Sequence, residues 1–117
     1  MSRPESLAYK VLTAAEHETV QTDGVFLGAP VDLADGFIHL STAAELAETL
    51  IKHFADQDQL FIAAVDLGAL GEAVKWEESR GGQLFPHIYG PLSREAITAT
   101  FALNRAADGT PDLSFLD

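Results

Sequence analysis

Apolar and polar positions along the chain switch between two periods, and the switches mark its elements. Residues 8–12 form a short apolar run that predicts a strand. Behind it, Thr13-Ala-Ala-Glu16 has the form of a capping box, so a short helix should open there and end near Asp23-Gly24. Residues 25–35 carry Gly28, Pro30 and several turn-favouring positions, and read as a loop. Residues 36–40 predict a second strand, which runs into Ser41-Thr42-Ala-Ala-Glu45, a second capping box. In the helix expected behind it, Leu46, Leu50 and Phe54 fall on one stripe beside Ala43 and Ala47, while Glu48 and Lys52 pair four apart on the wet side. This second helix has the stronger pattern.

The stretch Leu60–Asp66 is the most apolar of the chain and predicts a central strand buried on both faces. A turn over residues 67–71 follows, then strands at Val74–Glu78 and residues 85–89 around a Gly81-Gly82 loop. Alternation over residues 97–103 closes the sheet. No repeat, low-complexity run or linker interrupts the pattern. The expectation is one domain over residues 1–117, with a core at 8–103 and peripheral segments at 1–6 and 104–117. Its fold class is α+β, a mixed sheet of five or six strands with two helices.

Composition narrows the partners. Of 117 residues, 47% are hydrophobic and none is cysteine, which excludes a disulfide framework, a thiolate nucleophile and a cysteine-based zinc site. Seven Lys and Arg against 18 Asp and Glu give a net charge of −11, and the basic residues are scattered. Nucleic acid and anionic membrane surfaces are bound through clustered cations, so neither is an expected partner. No apolar run is long enough to cross a bilayer, and the cytoplasm is the default compartment. A small ligand with one or two phosphates stays compatible, because a local pocket can be positive within a negative protein.

The chemistry concentrates in two short strands that repeat one order of side chains. Alternation places Phe37, His39 and Ser41 on one face of the first, and Phe85, His87 and Tyr89 on one face of the second. Should both face one cleft, two imidazoles, a phenol and a serine converge on an aromatic-walled site suited to a heterocycle, a ribose or a phosphate. A helix start two or three residues beyond His39 suits an anion. The plainer alternative is that each histidine is a satisfied polar residue and Ser41 a helix cap. His17 is expected in solvent, and His53 at a helix C-terminus where a cation suits the dipole. In Trp76-Glu-Glu-Ser-Arg-Gly-Gly82, Trp76 reads as a core anchor, and Glu77 and Glu78 point to opposite faces, so at most one shares a site with the histidines. Arg80 reads either as an anion-binding arm or as a surface turn. A metal site from His39, His87 and a glutamate is conceivable, but no close-spaced histidine pair supports it, and no P-loop, G-x-G-x-x-G or G-x-S-x-G is present.

Asp35-Gly-Phe-Ile-His-Leu-Ser-Thr42, Trp76–Gly82 and Phe85-Pro-His-Ile-Tyr-Gly-Pro-Leu92 together resemble the signature of a family of small bacterial proteins built on a domain of unknown function. The resemblance covers residues 8 to about 103. It implies a fold similar to ADP-ribosyltransferases, a partly split mixed sheet with a cleft for NAD. Phe37-Ile-His-Leu-Ser41 is also distantly similar to a segment of the NAD-dependent RNA 2′-phosphotransferases. By that comparison His39 and Ser41 line the cleft, and His87 and Tyr89 lie near the third motif. Lys10 stands where the first-motif histidine of those enzymes would be, and their third-motif acid has no counterpart unless Glu77 or Glu78 approaches.

The resulting expectation is a protein whose cleft takes a nucleotide-type small molecule related to NAD or ADP-ribose, with transferase activity as the implied chemistry. His39, His87 and Tyr89 are its candidate catalytic residues, with Lys10, Ser41, Thr42, Glu77, Arg80 and Phe85 as candidate ligand contacts. Its competitors are a binding module without turnover and a metal-dependent hydrolase using His39 and His87.

Overall fold

A capping box that works as its residues suggest sets the first turn of the structure. In this computed structural model, which describes residues 6–55, 57, 59–78 and 84–116, strand β1 (Leu7–Thr13) ends at Thr13. That hydroxyl accepts the Glu16 amide while the Glu16 carboxylate accepts the Thr13 amide. Helix α1 (Ala14–Asp23) stops at Gly24, whose φ of 78° is the left-handed geometry glycine tolerates best. The segment expected to be a loop instead holds strand β2 (Val25–Phe26) and helix α2 (Pro30–Asp35). Strand β3 (Ile38–His39) follows.

The second capping box does not open its helix directly. The Thr42 hydroxyl accepts the Glu45 amide across a turn, and helix α3 (Leu46–His53) starts after it, burying Leu46 and Leu50 as the stripe predicts. The rest of the chain runs through β4 (Leu60–Asp66), α4 (Leu67–Leu70), β5 (Val74–Glu78), β6 (Leu84–Ile88), β7 (Leu92–Ser93) and β8 (Ile97–Ala102). Short 3-10 turns lie at Gly71–Ala73, Arg94–Ala96 and Ser114–Leu116. Two helices were therefore too few. The additional ones span four and six residues, too short to show a helical period.

Every strand pair among the described residues is antiparallel, which corrects the mixed sheet. Alternation marks a residue as extended but carries no direction, so the sequence could not distinguish the two. Three sheets form, in the orders β1-β4-β8, β2-β7 and β3-β6-β5. β4 is central in the first, with Ala63 and Val65 in one core cluster and Leu60 and Ile62 in the other, so it is buried on both faces as expected. The C-terminal segment, expected at the periphery, lays Leu113, Phe115 and Leu116 against the second cluster, with Phe115 stacked 4.5 Å from Phe101. His17, expected in solvent, stacks on Phe61 at 4.2 Å. No helix among the described residues is long and apolar enough to cross a membrane.

The join between the two larger sheets positions the site. Tyr9 of β1 and Ser41 exchange backbone hydrogen bonds of 2.7 and 2.8 Å, and the Leu40 amide donates to the Pro86 carbonyl. A cleft lies at the Tyr9–Ser41 bridge, lined by residues of β1, α2, β3, α3 and β6.

Candidate functional site

β3 and β6 pair so that His39 lies directly opposite His87. Opposed residues in an antiparallel ladder put their side chains on the same face, and the two imidazole centroids are 5.3 Å apart in an edge-on arrangement. Phe37 supports both, stacking on His87 at 4.2 Å and tilting against His39 at 4.7 Å and Tyr89 at 5.2 Å. A single open cleft of about 520 Å3 contains both histidines. Lys10, Ser41 and Phe85 also line it, as do Thr49 and His53 of α3.

Each histidine has a different carboxylate environment. His39 places Nδ1 2.7 Å from Asp32 Oδ1 and Nε2 3.0 Å from Asp35 Oδ2, so both ring nitrogens are engaged. Asp32 is 2% exposed, and its carboxylate also takes Lys10 Nζ at 2.9 Å, the Ala29 amide at 2.8 Å and the His39 amide at 3.1 Å. Burial pushes this carboxyl up. The His39 hydrogen bond, the Lys10 charge and the Ala29 amide outweigh burial together and hold it well below the usual carboxylate range. Lys10 Nζ donates as well to the His39 carbonyl at 3.0 Å, which leaves one of its three hydrogens for another acceptor.

His87 is 6% exposed and has one nitrogen committed. Its Nδ1 lies 2.7 Å from Glu77 Oε1, and no partner for Nε2 is found among the described residues. The Glu77 carboxyl is held below its ordinary range, first by the His87 hydrogen bond and then by that of the Tyr89 phenol. The same contact pushes the phenol up, because Tyr89 donates to Glu77 at 2.8 and 3.1 Å. A carboxylate only accepts, so Nδ1 carries a hydrogen, and in the neutral form of the ring Nε2 offers its lone pair. Glu77 is thus the glutamate that joins the histidines, as the opposite-face argument allowed.

The structure does not bring every predicted residue into the cleft. Thr42 caps the turn before α3 and is not among the lining residues; Tyr89 and Glu77 stand behind His87 at the sheet rather than in the lining. Arg80 lies outside the described residues. Ser41 does more than cap: its Oγ pairs with Thr49 Oγ1 at 2.8 Å, and Thr49 in turn donates to the Glu45 carbonyl. Sequence reasoning missed Asp32, Asp35 and Thr49. Pro30 at the first position of a helix and Gly36 just past its end were the available signal for α2; nothing in the pattern marks Asp32 as buried. Among the described residues no group of three or more histidine and acidic side chains has the arrangement of a metal site.

Comparisons with known proteins place the chain. The X-ray structure of Protein CC0527 from Caulobacter crescentus is 46% identical over 94% of this chain and 96% of that one, with a TM-score of 0.88. The solution NMR structure of CC0527 gives 45% identity, 97% coverage of both chains and a TM-score of 0.84. No curated protein matches. A family model described as a protein of unknown function, DUF952, matches residues 11–100, and the chain belongs to that family.

Proposed function

We propose that the cleft binds a nucleotide-type small molecule related to NAD or ADP-ribose, and that His87 exchanges a proton with it. One observation carries this reading: His39 and His87 face each other across adjacent strands and open into the same cleft. The Glu77–His87 pair supports a general acid or base, since the carboxylate orients the ring and leaves Nε2 for a ligand hydroxyl. Phe85 supplies an apolar wall for a heterocycle, and Ser41 and the remaining hydrogen of Lys10 supply polar contacts for a sugar. An ADP-ribosyltransferase-like reading of the fold is supported by the two three-stranded sheets that meet at Tyr9–Ser41 beside the cleft.

A second reading, a binding module without turnover, is favoured by His39. With both nitrogens on aspartates, it holds the site together rather than offering a free nitrogen to a substrate. Both readings predict binding, and only the first predicts product.

Titration calorimetry with NAD, ADP-ribose and adenine nucleotides tests the proposal. The expected result is saturable heat that weakens about tenfold or more in His87→Ala and in Phe85→Ala, with both variants folded by circular dichroism. No heat at millimolar ligand, or unchanged affinity in His87→Ala, overturns it.

A further inference from the structure

The charges around the cleft restrict which part of such a ligand can sit in it. Among the described lining residues Lys10 is the only lysine or arginine, and its ammonium already rests on the buried Asp32 carboxylate. Four carboxylates act there: Asp32 and Asp35 on His39, Glu77 on His87, and Glu16, which lines the cleft and whose Oε1 accepts the Thr13 amide. Protonating all three lining histidines, His39, His53 and His87, would add three positive charges to that of Lys10, and four cations would only balance four carboxylates. With the three rings neutral the sum is negative. Among the described residues, a phosphate entering this space finds neither a bidentate nor an unpaired cation to offset its lost hydration, the arrangement phosphate sites are built from.

The polar groups that remain suit a sugar better. Thr49 donates its hydroxyl hydrogen to the Glu45 carbonyl, so Ser41 donates to Thr49 and presents its lone pairs to the cleft. In the neutral form of its ring, His87 Nε2 presents a lone pair as well. Acceptors of this kind match the hydroxyl hydrogens of a ribose. A phosphate dianion, which brings acceptors only, would meet them lone pair to lone pair. The aromatic and aliphatic wall formed by Tyr9, Val11, Phe54 and Phe85 matches an uncharged or cationic ring.

We infer that the cleft seats a nucleoside moiety, ring and ribose, and that any phosphates of the ligand remain outside it and add no affinity. This rests on the proposed nucleotide-type function and specifies the substrate class of the same site. Titration calorimetry with the full chain compares adenosine and nicotinamide riboside, the two nucleoside halves of NAD, with AMP, ADP-ribose and NAD, at 50 and 300 mM NaCl. At least one nucleoside is expected to bind within about tenfold of the best phosphorylated ligand. Phosphorylated ligands should hold or gain affinity at the higher salt, because repulsion is being screened. Glu16→Gln keeps the capping acceptor and removes one charge, so it should tighten AMP by about twofold or more relative to the nucleoside. The inference is overturned, with the functional reading intact, if a phosphorylated ligand binds more than tenfold tighter than both nucleosides, or if Glu16→Gln shifts AMP and nucleoside alike. Silence from all five ligands overturns the functional reading itself, and the inference with it.

Discussion

Four donors converge on the carboxylate of Asp32: Lys10 Nζ, the Ala29 amide, and the amide and Nδ1 of His39. Removing one partner of such a buried ion pair leaves the other charge without compensation, which typically costs about 3–5 kcal/mol. Asp32→Asn should therefore lower stability to urea by that order, and Lys10→Met combined with Asp32→Asn should recover part of the loss. A single-variant loss under about 1 kcal/mol would mean that the pair is not formed or is well hydrated. Because the folded carboxyl is depressed relative to the unfolded chain, its stabilisation is complete above the ordinary aspartate value and is lost as pH falls toward the folded one. The gap between wild type and Asp32→Asn should thus be level near neutrality and close as pH drops below about 4. None of this was legible from composition or period. Lys10 sits at a core-facing position of an alternating strand, where a cation demands a partner, but the chain does not announce which of 18 acids that partner is.

Elements were legible in proportion to how well their side chains obey the burial rule. β4 and α3 do, and the pattern located both; the Thr13–Glu16 box likewise opens α1 where it should. Helix α2 inverts the rule: Val31 and Leu33 are 58% and 65% exposed, while Asp32 is the residue turned inward. A stripe search reads such a segment as loop, because its buried face is polar and only one residue wide. What holds α2 at its end is Gly36, at φ 90°, whose amide donates to the Asp32 carbonyl at 2.8 Å and turns the chain toward Phe37 and His39. A Cβ built there meets nothing within 4 Å, so Gly36→Ala carries only the backbone penalty of the left-handed region, about 1 kcal/mol. Gly36→Asn should cost less, since asparagine tolerates that geometry. Equilibrium unfolding distinguishes the cases. An alanine variant as stable as wild type would contradict the left-handed turn, and a loss above about 3 kcal/mol would imply a clash that the open space does not contain.

At the scale of the whole molecule, sequence supplied six of the eight strands and the charge, missed the two-residue strands β2 and β7, and left out the directions of the strands and how the two larger sheets meet. Alternation of side chains is the same for either strand direction, and the meeting point is one backbone bridge between Tyr9 and Ser41 that no side-chain pattern encodes. The charge of −11, by contrast, is fully legible and has a measurable consequence. At about 0.01 M ionic strength the screening length is about 30 Å, comparable to the molecular extents of 41 × 35 × 28 Å, so every carboxylate repels every other across the fold. Raising the salt to about 0.15 M shortens that length to about 8 Å and removes most of this repulsion. Among the described residues, the lysine ion pairs have little attraction to lose in exchange. Lys10–Asp32 is buried and weakly screened, and the exposed Lys52–Glu48 pair is of the kind that contributes at most about 1 kcal/mol. The midpoint of thermal unfolding at pH 7 should accordingly rise by a few degrees between 10 and 150 mM NaCl, as read by calorimetry. A midpoint that falls over this range would show that attractive surface pairs outweigh the net negative field, and the electrostatic argument against phosphate in the cleft would weaken with it.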